Sequence, residues 1–214
     1  AQEAYIKASN NDAGDYFGIR IALDGNTLAV GATLEDSNQT TITNDNSSSS
    51  NNSNSTSGAV YIYERNWNSN WAQEAYIKAS NSGENDLFGG AIDLDKETLA
   101  VGAYKEDSNQ TTITNDNSSS SNNSNSNSGA VYVYRRIQQT GPQSRTIWVQ
   151  EAYIKAANND ADDKFGRYIS LDNKTLVVGV PNEGSNQSTI TNGTSASSNN
   201  SNSESGAVYV YSDK

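Results

Sequence analysis

One segment written three times sets the terms for everything this chain can fold into. AQEAYIKASN at 1–10 returns as AQEAYIKASN at 72–81 and as VQEAYIKAAN at 149–158. Phe17-Gly18 returns as Phe88-Gly89 and Phe165-Gly166. TLAVGA at 27–32 returns at 98–103 and as TLVVGV at 175–180, and SGAVYIY at 57–63 returns as SGAVYVY at 128–134 and 205–211. A repeat of this kind is one supersecondary unit that buries its apolar face against neighbours of its own kind. The units divide at 1–71, 72–148 and 149–214. Between the second and third, RRIQQTGPQSRTIW (135–148) replaces the shorter ERNWNSNW (64–71), and Gly141-Pro142 marks that insertion as a surface turn.

Each unit holds four strand-like segments. EAYIKA alternates, with Ala4, Ile6 and Ala8 on one side and Glu3, Tyr5 and Lys7 on the other. FGIRIALD places Phe17, Ile19, Ile21 and Leu23 on one face. TLAVGA is small and apolar throughout, as a strand covered on both faces requires. GAVYIYE is rich in β-branched and aromatic residues, and Asp24-Gly25-Asn26 is a tight hairpin turn between the second and third segments. No segment keeps a 3.6-residue period, so the chain is expected to be all-β, with three four-stranded antiparallel repeats. Such a sheet cannot bury both faces alone. Stacking sheets face to face around an axis answers that need, which gives the blades of a β-propeller. Gly31, Gly102 and Gly179 then sit where strands crowd and a side chain would collide.

Phe-Gly, then Val-Gly-Ala, then Gly-Ala-Val-Tyr-Val-Tyr, recurring three times, resembles the FG-GAP repeat that builds the propeller of integrin α subunits and of many secreted microbial proteins. Val178-Gly179-Val180-Pro181 comes nearest to the motif, and the segment Trp71 to Asn81 is similar to the microbial branch. The resemblance covers nearly the whole chain outside the Ser/Asn tracts. It implies one blade per repeat and a role in adhesion or recognition rather than catalysis. Many relatives carry an Asp-x-Asp-x-Asp-Gly calcium loop between the first two strands of a blade. Here that place holds only Leu23-Asp24-Gly25-Asn26-Thr27, Leu94-Asp95-Lys96-Glu97-Thr98 and Leu171-Asp172-Asn173-Lys174-Thr175. These supply too few oxygens for Ca²⁺, which takes about six to eight, so that site does not carry over.

Propellers have about four to eight blades, so three repeats are not expected to close alone. In repeat phase, the outer strand 3–8 comes first and its natural pairing partner, 207–211, comes last, so each is expected to lack a mate. An unpaired apolar edge is a template for another chain. Pairing it adds ladder hydrogen bonds at roughly 0.5–1.5 kcal/mol net each. Two chains closing a ring, many chains joining head to tail into a fibre, or a place within a longer propeller would each satisfy these edges. The expected partners are therefore copies of the chain itself, with surface glycans or proteins as further contacts.

Composition narrows the functions. The chain has no His and no Cys, which excludes a Ser-His-Asp triad, a cysteine nucleophile, a thiolate or imidazole zinc site and a disulfide framework. Met is absent too, so the sequence reads as a processed product or a fragment. With 25 Asp+Glu against 14 Lys+Arg the formal charge is −11, which disfavours nucleic acid and anionic lipid. No apolar run is long enough for a membrane-spanning helix. The expectation is a non-enzymatic, extracellular or cell-surface subunit without an organic cofactor.

Long polar inserts separate the third and fourth segments, at 35–58, 106–129 and 183–206. Within 44–57, twelve of fourteen residues are Ser or Asn, a composition that predicts a solvated loop. Thr-Thr-Ile-Thr at 40–43 and 111–114 offers a short strand inside the first two. The third insert loses two acids at once: Asp36 and Asp107 become Gly184, and Asp45 and Asp116 become Gly193. One reading makes Asp36 with Asp45, and Asp107 with Asp116, ligands of a shared Ca²⁺; the plainer one treats Asp and Gly as interchangeable turn residues. Glycosylation sequons stand at Asn38, Asn46, Asn51, Asn54, Asn109, Asn117, Asn122, Asn173, Asn186, Asn192 and Asn199.

Asp15, Asp86 and Asp163 each precede Phe-Gly by two residues, with Asp12, Glu84, Asp160 and Asp162 nearby. They are expected to accept backbone N–H groups in the turn entering the inner strand. The alternatives are a cation-attracting rim near the axis and a hydrolytic carboxylate pair, the latter resting on Asp162 beside Asp163. Phe17, Phe88 and Phe165 are expected between blades, and the paired tyrosines of GAVYVY within them. Trp71 and Trp148 are expected to cover a blade edge. Trp67, in Asn-Trp-Asn-Ser-Asn, is the candidate exposed aromatic for a lectin-like contact with a sugar ring.

Overall fold

A computed structural model describes residues 1–141 and 144–212; Pro142 of the expected surface turn lies outside the described residues. No helix occurs among the described residues, and the strands form three antiparallel sheets. The first contains β1 (Arg20–Asp24), β2 (Thr27–Ala32), β3 (Ile42–Thr43), β4 (Ala59–Arg65) and β5 (Trp71–Ile77), in the order β1-β2-β4-β5-β3. The second contains β6 (Ala91–Asp95), β7 (Thr98–Ala103), β8 (Ile113–Thr114), β9 (Ala130–Gln139) and β10 (Arg145–Ile154), in the order β6-β7-β9-β10-β8. The third contains β11 (Tyr168–Asp172), β12 (Thr175–Val180) and β13 (Ala207–Ser212). The short β3 and β8 are the Thr-Thr-Ile-Thr segments, each laid against the outermost long strand.

The sheets do not follow the repeat boundaries. β5 belongs to the second repeat but completes the first sheet, with Val60 opposite Ile77, Tyr61 opposite Tyr76 and Ile62 opposite Ala75. β10 brings the third repeat into the second sheet in the same way, with Val131 opposite Ile154 and Tyr132 opposite Tyr153. The third sheet departs from the expected four strands and has three. The strand that fills this place elsewhere comes from the following repeat. The remaining copy of that segment, residues 3–8, forms no ladder among the described residues. It lies beside the first sheet, where the Lys7 carbonyl accepts the Tyr63 hydroxyl at 3.1 Å.

Packing runs from sheet to sheet. Val60 and Ile62 of β4 share a core with Phe88, Leu94, Leu99 and Val101 of the second sheet. Val131 of β9 packs with Phe165, Leu171, Leu176 and Val178. The Phe-Gly turn makes each junction: the amide of Phe88 donates to the Ser57 carbonyl (3.0 Å), and that of Phe165 to the Ser128 carbonyl (2.9 Å). Phe88 and Phe165 are fully buried as expected between blades, while Phe17 is only half-buried. The tyrosines lie edge-on to these rings, Phe88 at 5.3 Å from Tyr132 and 6.2 Å from Tyr134.

The sheets approach closely enough to exclude a side chain at one strand position. A Cβ on Gly102 would lie 2.0 Å from the Gly166 carbonyl oxygen, and one on Gly31 2.7 Å from that of Gly89. At Gly179 the nearest atom is Tyr168 Cβ, at 3.4 Å, an ordinary contact. Gly102→Ala should therefore destabilise the fold by about 1–3 kcal/mol through overpacking, whereas Gly179→Ala should leave the urea midpoint of the isolated chain unchanged. Equal losses at the two positions would contradict this placement of the sheets.

Candidate functional site

The alternation of EAYIKA turns Ala75 and Ile77 into one core and Tyr76 into another. Lys78, one residue past the end of β5, has a fully buried ammonium. Its Nζ donates to Glu35 Oε2 at 2.8 Å and to Ser57 Oγ at 2.7 Å. Glu35 is placed by the turn that leaves β2, where its amide donates to the Ala32 carbonyl and its own carbonyl accepts the Gly58 amide. Ser37 donates to the same carboxylate oxygen (3.2 Å) and shares a 2.6 Å hydrogen bond with the Tyr76 hydroxyl. Asn10 Nδ2 donates to Glu35 Oε1 at 3.0 Å, and the Tyr61 hydroxyl donates to Asn10 Oδ1. Four segments of sequence thus close one buried polar socket around one lysine.

The socket recurs in the second sheet. Lys155 Nζ donates to Glu106 Oε2 at 2.7 Å and Ser128 Oγ at 2.8 Å, Tyr153 and Ser108 share a 2.5 Å bond, and Asn81 Nδ2 donates to Glu106 Oε1 at 2.9 Å. Burial pulls both lysines below their usual pKa, and the facing carboxylate opposes that shift. Removing one partner of such a pair leaves an uncompensated buried charge and costs about 3–5 kcal/mol.

In the third sheet the socket is built but holds no lysine among the described residues. Glu183 is 2% exposed. Its Oε1 accepts Asn158 Nδ2 at 3.0 Å, while its Oε2 is buried without a hydrogen-bond partner. Ser205 Oγ donates to the Glu183 and Ser185 carbonyls, as Ser57 does to those of Glu35 and Ser37. Sequence reasoning did not single out these sockets. The signal was present in the threefold recurrence of Lys7, Lys78 and Lys155, of Glu35, Glu106 and Glu183, and of Ser57, Ser128 and Ser205.

Beside the sockets lie the acids that precede Phe-Gly. Asp86 Oδ2 accepts the Gly83 amide at 2.7 Å, the turn role expected of it. Its carboxyl is pushed up to about 7, first by burial and then by Glu106 and Asp107. Asp163 is likewise pushed up to about 7 by burial, Asp160 and Glu183, and Asp15 is shifted upward by burial, with Glu35 adding to the shift. Asp15 and Asp163 each keep one buried oxygen without a partner. Asp162 is engaged by Asn127 Nδ2 at 2.9 Å across the blade junction.

Against this geometry, the FG-GAP repeat family matches residues 1–63, 71–134 and 148–211. The chain belongs to the FG-GAP repeat family. No curated protein matches it. It is an all-β, propeller-type protein whose three sheets correspond to three FG-GAP repeats.

The other acids of these FG-GAP repeats hold turns. Asp36 Oδ1 accepts the Thr56 amide at 2.6 Å, and Asp107 Oδ1 the Asn127 amide at 2.6 Å. Asp45 and Asp116 each accept the amide and hydroxyl of the serine two residues on, Ser47 or Ser118, and those bonds hold their carboxyls below the usual range. Among the described residues no group of three or more His, Cys, Asp or Glu gathers where a metal could sit. The hairpin acids do not fit the family's calcium loop either. Asp24 Oδ2 accepts the Lys96 amide at 2.6 Å and Asp95 Oδ2 the Asn173 amide at 2.8 Å, each binding the next blade.

The Ser/Asn inserts are ordered by side-chain to backbone bonds. Asn51 Oδ1 accepts the Ser53 amide at 3.0 Å, Gln73 Nε2 donates to the Ser47 carbonyl at 3.0 Å, and Asn44 grips both backbone groups of Trp148. Asn38, Asn46, Asn51, Asn109, Asn117, Asn122, Asn173, Asn186, Asn192 and Asn199 are exposed. Asn54 is not: it is buried, with Nδ2 donating to the Ser82 carbonyl at 3.1 Å, which leaves no room for a sugar there. Trp148 is buried with Nε1 on Glu74, and Trp71 lies half-buried with Nε1 on Glu3. Trp67 stands 91% exposed between β4 and β5.

The raised carboxyls fix a pH dependence. Below about pH 4 both folded and unfolded chains hold these protons; between there and about 7 only the folded chain does, so stability falls as pH rises through that window. Asp86→Asn keeps an oxygen for the Gly83 amide and removes the titration. It should melt higher than wild type at pH 8 and show a shallower decline from pH 4 to 7 in thermal melts.

Proposed function

We propose that this FG-GAP chain is a non-enzymatic, extracellular structural or adhesive subunit that joins to copies of itself, in a ring or in a head-to-tail fibre. The observation that carries this reading is the pair of open apolar faces at the two ends of the stack. Ile19, Ile21 and Leu23 of the first blade are exposed, although Leu94, the counterpart of Leu23, is buried against the preceding sheet. At the other end Val208 is 67% and Val210 66% exposed, while their counterparts Val60 and Ile62 are fully buried. An apolar groove opens there, lined by Tyr168, Gly179, Pro181, Gly206 and Val208.

These two faces are the halves of a junction the chain makes twice internally. Gly58 and Gly129 each bridge the phenylalanine of the next Phe-Gly turn. Gly206 occupies the same place in the groove. The halves differ, so the contact is heterologous and propagates or closes a ring. Contiguous exposed apolar surface of this kind marks an interaction site. The recurrence of the same acids in every blade supports architecture over catalysis, and the formal charge of −11 disfavours polyanionic partners. Size-exclusion chromatography with light scattering, and negative-stain microscopy, should show concentration-dependent assembly that Val210→Lys abolishes. A wild-type chain that stays monomeric at every concentration rejects the reading.

The exposure of Trp67 supports a second reading, a carbohydrate-binding module in which the indole stacks on a sugar ring. A glycan array should then show binding that Trp67→Ala removes, with unchanged melting. An array blank for wild type rejects it.

A further inference from the structure

We propose that Glu183 is the receptor for Lys7 of a second copy of this chain, which enters as an added strand along β13. The inference rests on the self-association read above and names the contact that gives it register and direction. A carboxylate oxygen that is buried and unpartnered in one blade, and bonded to a lysine in the other two, identifies its missing ligand by chemistry. The donor must be a primary ammonium at the end of a strand that pairs with GAVYVY. Lys7 fits: it is exposed and makes no ion pair among the described residues.

The surroundings agree residue by residue. The internal ladders set Val60 against Ile77 and Tyr61 against Tyr76, which places Ile6 of the incoming copy opposite Val208 and its Tyr5 opposite Tyr209. Tyr5 is 81% exposed where Tyr76 and Tyr153 are fully buried. Its hydroxyl would meet Ser185, as those of Tyr76 and Tyr153 meet Ser37 and Ser108. The incoming strand is also already held in place on its own blade. Glu3 accepts Trp71 Nε1 at 3.1 Å and pairs with Arg65, as Glu74 accepts Trp148 Nε1 at 3.1 Å and pairs with Arg136. Asn10 bonds Glu35 as Asn81 bonds Glu106. Residues 3–8 are held by side-chain contacts alone and form no ladder among the described residues, so their backbone is free for strand addition. Because the ordering is present before docking, little conformational freedom is lost on binding.

The test uses the full chain. Lys7→Glu alters an exposed residue, so it should fold and melt like wild type yet run as a monomer. Glu183→Lys should likewise be monomeric, and a mixture of the two should assemble again, since one retains the lysine and the other the carboxylate. Independently of how Glu183→Lys folds, the synthetic octapeptide AQEAYIKA should bind the Lys7→Glu chain, and its Lys→Ala version should bind roughly thirtyfold or more weakly, the effect of truncating one partner of a buried charge pair. Equal binding of the two peptides, or binding of neither, overturns the assignment. Wild type and Lys7→Glu assembling alike overturns this contact but leaves self-association standing; a wild-type chain that never assembles overturns both.

Discussion

A GAVYVY strand needs an outer partner that its own repeat does not supply. Every other feature of the molecule follows from this one mismatch between the repeat in sequence and the sheet in space. Because β5 and β10 cross into the preceding blade, neighbouring repeats are joined by a full ladder as well as by side-chain packing. The lysine at the end of each crossing strand then locks it in register. A slip of one residue would turn its side chain away from the carboxylate and leave both charges buried without a partner. The buried pair therefore reads as a register device, and its two occupied examples share partners and distances to within a few tenths of an ångström.

Much of the architecture was legible in the sequence because strand alternation and exact repetition are local signals. EAYIKA and TLAVGA stated their faces directly, the Gly25-Asn26 turn closed as a two-residue hairpin, and Thr-Thr-Ile-Thr formed its short strand. The collision sites at Gly31 and Gly102 followed from the same pattern. The third sheet fell short of four strands because strand count per repeat and strand count per sheet are different quantities once strands are exchanged.

The sockets were not legible, and the reason is physical. A lysine in an alternating strand looks like a solvated residue, and Glu35 opens a tract that is otherwise polar. Only the fold shows that Lys78, Glu35 and Ser57, far apart in sequence, converge out of water. Composition misled in the same way for the Ser/Asn tracts. It forecasts loose loops, whereas repeated Asn and Asp side chains bonding to amides two residues on give them a regular course. That same habit accounts for Asp45 and Asp116, whose carboxylates are engaged by Ser47 and Ser118.

Each of those loops is clamped at its feet. The Asn54 and Gly58 amides return to the Asp36 and Glu35 carbonyls, and the Asn125 and Gly129 amides return to those of Asp107 and Glu106. Between the clamps Ile42 packs on the core, Ser37 joins the socket and Asn44 holds Trp148, whereas the tips at 50–53, 121–124 and 198–201 are exposed. Lengthening a closed loop costs only about 0.6 kcal/mol per doubling. The scaffold is thus indifferent to what it carries at those tips, and a foreign epitope or tag spliced there would be displayed at regular intervals without loosening the sheets beneath.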